Sequence, residues 1–302
     1  MAEPAIQVDA LRKDYGDVQA VRGIDLTVSE GEVFAFLGPN GAGKTTTVEI
    51  LEGYRRRSAG DVRVLGVDPE EADRAWRSRI GIVLQECQLQ RQLTVRESLE
   101  LYAGYYPRPR PVDETVALIG LHDKQDARVR TLSGGQVRRL DVGLALIGNP
   151  DLIFLDEPTT GFDPEARQQA WEVIRSLREL GKTVFITTHY MDEAQALADR
   201  VAIIAAGTIV AEGSPATVGD RDRAATTIAF RVANGARPDE LAARVDGALT
   251  VDGGAVALQT REPVADLHAL TDWAIQGAHE LSELTVSRPS LEDVYLDLVR
   301  DR

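Results

Sequence analysis

Residues 33–45 read VFAFLGPNGAGKT, an apolar run that enters a glycine-rich turn and ends on lysine and threonine. Within it, GPNGAGKT at 38–45 fits G-x-x-x-x-G-K-[ST], and a strand before it with a helix after it is the context that gives the pattern meaning. The residue types follow from the physics of holding an anion. Gly38, Gly41 and Gly43 free the backbone to turn, so that successive N–H groups after Pro39, from Asn40 through Ala42 to Thr46, can face one point. A helix opening at Lys44 aims its positive end at the same point. Lys44 adds a charge for β- and γ-phosphates, and Thr45 offers a hydroxyl to Mg²⁺. Only four lysines occur in 302 residues, so a lysine here is not background. The spacing therefore predicts an ATP-type phosphate loop at the carboxyl end of a parallel strand.

The surrounding pattern agrees with that frame. Apolar, β-branched runs at 6–11, 23–28, 33–38, 62–66, 80–85, 152–157, 183–189 and 201–205 read as strands. Several are almost continuously apolar, as expected of strands buried on both faces. Helical patterns lie between them, at Lys44–Leu51, Val95–Tyr105, Gly134–Leu146, Pro164–Leu180 and Met191–Ala198. Alternation of this kind predicts an α/β fold with right-handed crossovers. A mainly helical insertion spans about 86–131, and PRPRP at 107–111 within it reads as a stiff extended connector.

After Pro215 the pattern changes. The order strand 225–232, helix 238–245, strands 248–251 and 255–260, helix 263–277 and strand 283–289 is β-α-β-β-α-β. That is the ferredoxin-like pattern, an α+β unit. A terminal helix follows, with Ser290 as its N-cap and Asp293 at its third position. The expected division is 1–221 and 222–302. The second part holds no catalytic constellation and reads as a packing or dimerising module, or as one that tunes the first.

Two further motifs carry chemistry. LIFLDE at 152–157 is a buried strand with two acids at its carboxyl end. Beside a phosphate loop, Asp156 can hold Mg²⁺ and Glu157 can orient or deprotonate an attacking water; elsewhere the same pair would be an ordinary solvated strand end. LSGGQ at 132–136 places Ser133 as an N-cap, with Gly134, Gly135 and Gln136 opening a helix. Alone it fits a capped helix equally well. One chain with a single phosphate loop and two anion-ready helix starts invites a composite site, in which each helix start serves a different nucleotide.

Composition excludes several classes. The net charge of −14 opposes a nucleic-acid partner. The apolar runs VGLALI at 142–147 and VAIIAA at 201–206 fall far short of the roughly 20 residues that span a bilayer. The first residues lack a secretory apolar core. One cysteine, Cys87, allows no internal disulfide and suits a reducing compartment.

With GPNGAGKTT, Gln85, LSGGQ, LIFLDEPTTGFDP and His189 in this order, the sequence over about 4–215 resembles the ATP-binding-cassette (ABC) ATPases. The resemblance implies a P-loop NTPase fold of ABC type and a head-to-tail pair of chains with two ATP molecules between them. It implies that Tyr15 stacks on adenine, and the residue alone would read as a half-buried core tyrosine. It further implies that Gln85 meets Mg²⁺ or the attacking water, that Asp163 couples the two sites, and that His189 contacts the γ-phosphate. Phe162 stands where leucine is commonest. DEPTTGFDPEAR and SRPSLEDVYLDLV resemble the ATPase subunits of two-component bacterial drug exporters, including the daunorubicin-resistance group, with Tyr295 in place of the usual phenylalanine. That implies a separate integral membrane permease, drug-like or hydrophobic cargo, and a place on the inner face of the cell membrane. Rival readings are an importer ATPase, a cassette ATPase acting on ribosomes or nucleic acid, and a small-molecule P-loop kinase; the last leaves LSGGQ unexplained.

Overall fold

The VFAFL run that leads into the phosphate loop is buried at every position, which only a strand covered on both faces can satisfy. In the computed structural model, which describes residues 3–84, 89–221, 224–232, 238–245, 247–252 and 254–300, it is the fourth strand of a six-stranded sheet. The chain divides into two compact units, Met1–Pro215 and Ala216–Asp301.

In chain order the first unit contains β1 (Ile6–Tyr15), β2 (Val18–Val28), β3 (Val33–Leu37), α1 (Lys44–Leu51), β4 (Ala59–Val64), α2 (Arg74–Arg77) and β5 (Ile80–Val83). The helices α3 (Val95–Ala103), α4 (Val112–Leu118) and α5 (Gly134–Leu146) follow, then β6 (Leu152–Asp156), α6 (Pro164–Glu179), β7 (Thr183–Thr188), α7 (Met191–Leu197), β8 (Arg200–Ala205) and β9 (Thr208–Gly213). The main sheet runs β5-β6-β7-β3-β8-β9. Its pairs are parallel except that of β9 with β8.

Alternating side chains sort this sheet into two cores. Phe34 and Phe36 of β3 and Phe154 of β6 surround Phe185 of β7 at ring-centroid distances of 5.5, 5.8 and 5.6 Å. That face packs on Ile6, Leu11, Leu26 and Val62. Val33, Ile153, Leu155 and Val184 point the other way, to Val95, Leu99, Val116 and Ile119 of the helical insertion and to Trp171 and Leu177 of α6. α3 opens on a capping box formed by Thr94 and Glu97. No helix occupies 107–111.

Three expected strands do not join the parallel sheet. β1, β2 and β4 form a separate antiparallel sheet in the order β2-β1-β4. Their alternation of buried and exposed residues is that of strands with one solvated face. β9, absent from the sequence-based expectation, adds an edge whose residues are almost all half-buried.

The second unit comprises β10 (Thr226–Val232), α8 (Pro238–Ala242), β11 (Ala248–Asp252), β12 (Ala255–Thr260), α9 (Pro263–Gln276), β13 (Leu281–Ser287) and α10 (Leu291–Arg300). Its sheet order is β11-β12-β10-β13 with all neighbours antiparallel. This is the ferredoxin-like arrangement that the element order predicts. A core of its own holds Ile228, Phe230, Leu258, Leu270 and Trp273. Ser290 caps α10, accepting from the Asp293 N–H at 3.1 Å.

Candidate functional site: a phosphate loop faced by two acids and a histidine

Parallel neighbours end on the same edge, so β3, β6 and β7 deliver their carboxyl ends side by side. Leu37 of β3 pairs with Thr188 of β7, and Asp156 of β6 with Thr187. The loop after β3, Glu157 just past β6 and His189 just past β7 therefore meet in one cleft. Its lining includes Asn40, Gly43, Lys44, Thr45, Glu157 and His189. Gly41, Thr46, Thr160 and Ala20 complete it.

The glycines of the loop are fixed by space as well as by torsion. A Cβ on Gly38 would lie 2.4 Å from the Ile204 carbonyl oxygen. Gly43 has φ 106°, and a Cβ there would lie 2.5 Å from the Ala20 carbonyl oxygen. Neither position admits a side chain without moving backbone. Lys44 lies over the loop and is almost fully buried. Its Nζ donates to the carbonyls of Gly38 at 2.8 Å and Pro39 at 3.2 Å. The Ala42 N–H also donates to the Pro39 carbonyl, at 3.2 Å. Burial pulls the Lys44 ammonium below its ordinary pKa, and Glu157 and then Asp156 oppose that shift. Thr45 is exposed, whereas the Thr47 hydroxyl turns inward to the Gly43 carbonyl at 2.9 Å.

Glu157 is the most constrained residue of the cleft. Its φ is 44°, in the left-handed region. Its N–H donates to the Thr187 carbonyl at 3.0 Å. One carboxylate oxygen accepts from the Thr160 hydroxyl at 3.1 Å, and the other lies 3.2 Å from Nδ1 of His189. The imidazole in turn packs on Tyr190 with centroids 4.1 Å apart. Both oxygens of this carboxylate are thus oriented by neighbours that belong to the cleft. Asp156 accepts from the Thr187 hydroxyl. Among the described residues no cluster of three or more His, Cys, Asp or Glu could hold a metal. The oxygens of Thr45 and Asp156 are nevertheless the hard donors that suit Mg²⁺ bound together with phosphates.

The remaining expected site residues fall elsewhere. Ser133 caps α5, its hydroxyl accepting from the Gln136 N–H at 3.3 Å, while the Ser133 N–H donates to the Gln136 side-chain oxygen at 2.9 Å. Ser133, Gly134 and Gly135 do not line the cleft of Lys44 in the same chain. Gly134 instead borders a smaller cavity that Glu157 shares. Asp163 is the N-cap of α6, accepting from the Ala166 N–H at 2.8 Å. The Tyr15 ring ends β1, 41% exposed, with Lys13 and Arg55 over it at 5.1 and 5.3 Å. Gln85, with Cys87, lies outside the described residues.

Two participants escape a reading of the sequence. Arg138 looks like one of a pair of surface arginines, yet it reaches the backbone of the acid loop. Glu193 looks like a polar helix residue. It is fully buried, accepts from the Thr159 hydroxyl at 2.8 Å and Trp171 Nε1 at 3.3 Å, and is pushed up in pKa by that burial.

Comparison with known proteins places this geometry. The ABC transporter family model matches residues 21–160, and a second, described as the C-terminal domain of ABC transporter domain-containing protein-like chains, matches 226–290. The daunorubicin resistance ATP-binding protein DrrA3 of Streptomyces coeruleorubidus is 40% identical over 319 aligned residues, covering 100% of this chain and 98% of that one. The Nod factor export ATP-binding protein I of Rhizobium meliloti is 38% identical, covering 98% and 89%. Among solved structures, cbiO1 from Clostridium perfringens superposes with a TM-score of 0.64 at 28% identity, covering 71% of this chain and 90% of that one. A dimeric ATP-binding cassette in a post-hydrolysis state with ADP and Pi gives 0.61 at 25% identity, covering 69% and 98%. With a loop for phosphates, an oriented acid and relatives that match it from end to end, the chain belongs to the ABC transporter family as one of its ATP-binding cassette ATPases.

Proposed function

We propose that this chain is the ATP-hydrolysing subunit of an exporter, working beneath a separate integral membrane permease on the inner face of the membrane and coupling dimer closure to export of drug-like or hydrophobic cargo. The observation that carries the reading is the meeting of Lys44, Glu157 and His189 at three adjacent strand ends. The full-length likeness to daunorubicin-resistance and Nod-factor-export proteins supports the direction of transport.

In this mechanism the backbone N–H groups of the loop and the Lys44 ammonium bind the β- and γ-phosphates, and Tyr15 stacks on the adenine. Lys44 leaves its two backbone carbonyls for phosphate oxygens, which are stronger acceptors. Thr45 and Asp156, with Gln85 as the resemblance implies, would hold Mg²⁺, which would neutralise charge on the phosphates. Glu157, its carboxylate fixed by Thr160 and His189, orients a water for in-line attack on the γ-phosphate and accepts its proton. His189 contacts the γ-phosphate and so reports its presence. The helix start at Ser133, Gly134 and Gly135 faces the nucleotide of a second copy, and Asp163 couples the two sites. ATP thus fills the gap between two anion-binding surfaces, and its cleavage separates them. The helical insertion passes that motion to the permease.

The test is Glu157→Gln. The variant keeps the shape of the side chain and loses the base. It is expected to abolish turnover and to accumulate as an ATP-bound dimer. Sizing chromatography with Mg-ATP that returns monomer alone, or turnover at the parent rate, refutes the reading.

A further inference from the structure

Arg138 sits one turn beyond the Ser133 cap of α5, and its side chain, 11% exposed, is turned toward the acid strand. Nη2 donates to the Asp156 carbonyl at 2.8 Å and Nε to the Pro158 carbonyl at 3.3 Å. Nη1 donates to the Leu84 carbonyl, at the end of β5, and to Asp141 Oδ2 at 3.1 Å. Asp141 lies one turn further along the same helix and is itself 7% exposed. A single guanidinium therefore spans acceptors on three segments. Only the rigid, planar, five-donor fork of arginine can do this.

The acceptors are not arbitrary. Asp156 and Pro158 flank Glu157, whose φ of 44° is a conformation that a non-glycine residue holds only when its surroundings over-determine it. The Thr187 carbonyl restrains the Glu157 N–H from one side. Arg138 restrains the carbonyls before and after Glu157 from the other. A small cavity lined by Gly134, Arg138, Asp141, Glu157 and Thr160 separates the start of α5 from the acid.

We propose that Arg138 is a positioning residue for hydrolysis: by gripping the carbonyls on both sides of Glu157 it holds the acid in its left-handed backbone conformation and ties it to the helix that begins at Ser133. Asp141 orients the fork. In this role Arg138 acts through Glu157 and not on the nucleotide itself. The inference rests on the reading of Glu157 as the group that activates water, and the test separates the two.

Arg138→Lys in the full chain retains the positive charge and the partner Asp141, but a single ammonium cannot grip both carbonyls. Turnover of Mg-ATP is expected to fall about 10- to 100-fold, the range that small misplacements of a catalytic group produce. The dissociation constant for a fluorescent ATP analogue is expected to stay within about twofold, since no nucleotide contact is lost. Wild-type turnover in the variant, or an equal loss of nucleotide affinity, overturns the proposal. Asp141→Asn provides a second reading that needs no change at Arg138. It is expected to lower turnover at unchanged affinity, and to add nothing in the double variant because both residues act through one fork. Additive losses overturn the shared role. Glu157→Gln, assayed alongside, isolates the premise. If it hydrolyses ATP normally, the reading of Glu157 fails. If it is inactive while Arg138→Lys and Asp141→Asn are normal, only the role of Arg138 fails.

Discussion

Replacing Glu52 by glutamine tests how the cassette carries a buried acid just beyond its phosphate-binding helix. Glu52 closes α1, is 7% exposed and borders a cleft with Trp76, Tyr102 and Tyr106. Burial, with Asp156 and Glu49 adding repulsion, raises its carboxyl from 4.5 to about 8. Between those values the folded chain keeps a proton that the unfolded chain has released. Stability is therefore intact below the unfolded value and is lost as pH rises toward the folded one. At pH 7 the interval from 4.5 is 2.5 pH units, and at about 1.4 kcal/mol each that is about 3 kcal/mol. Glutamine has the same shape and no proton to lose, so Glu52→Gln is expected to be nearly neutral near pH 5 and more stable than the parent by up to about 3 kcal/mol at pH 7. Urea unfolding followed by circular dichroism across that range measures the gap. Parallel stability curves for parent and variant would refute the argument, because they would mean that Glu52 is ionised in the folded chain.

Other outcomes follow from features of the cleft and of the two units. Lys44→Ala removes the ammonium that lies over the loop. It is expected to weaken ATP binding about 10- to 100-fold, the worth of one charge-assisted contact; nucleotide titration reads it, and an unchanged dissociation constant contradicts the loop's role. Ending the chain at Pro215 is expected to leave a folded, nucleotide-binding core, since the two hydrophobic cores of the first unit use no residue beyond that point. A truncated chain without a cooperative melt would refute the independence of the units.

Much of the fold was legible because its signals are local. Continuous apolar runs marked β3, β6, β7 and β8, and capping residues marked α5 and α10 to the residue. The order of elements was enough for the second unit, whose sheet order then follows from crossover geometry. What stayed hidden depends on tertiary partners. β1, β2 and β4 read as strands, but nothing in a strand's own sequence says which sheet it joins. β9 is an edge strand with little apolar contrast, so its alternation is faint. At the site, the phosphate loop and the two acids were readable because their spacing is the chemistry. Arg138 was not, because the acceptors that tie it to other segments are backbone carbonyls 18 to 54 positions away and a carbonyl has no sequence signature. Glu52 and Glu193 were not, because a buried acid and a solvated one are written with the same letter. Asp163 shows the converse: a residue expected to serve the dimer also does local work as a helix cap.

The side-by-side strand ends carry one more implication. β3, β6 and β7 are stitched to each other along their whole lengths and clamped from both faces by aromatic and aliphatic side chains. The glycine-rich loop, the acid and the histidine are thus mounted on a single plate, and altering the spacing among them would mean repacking the core on both of its faces.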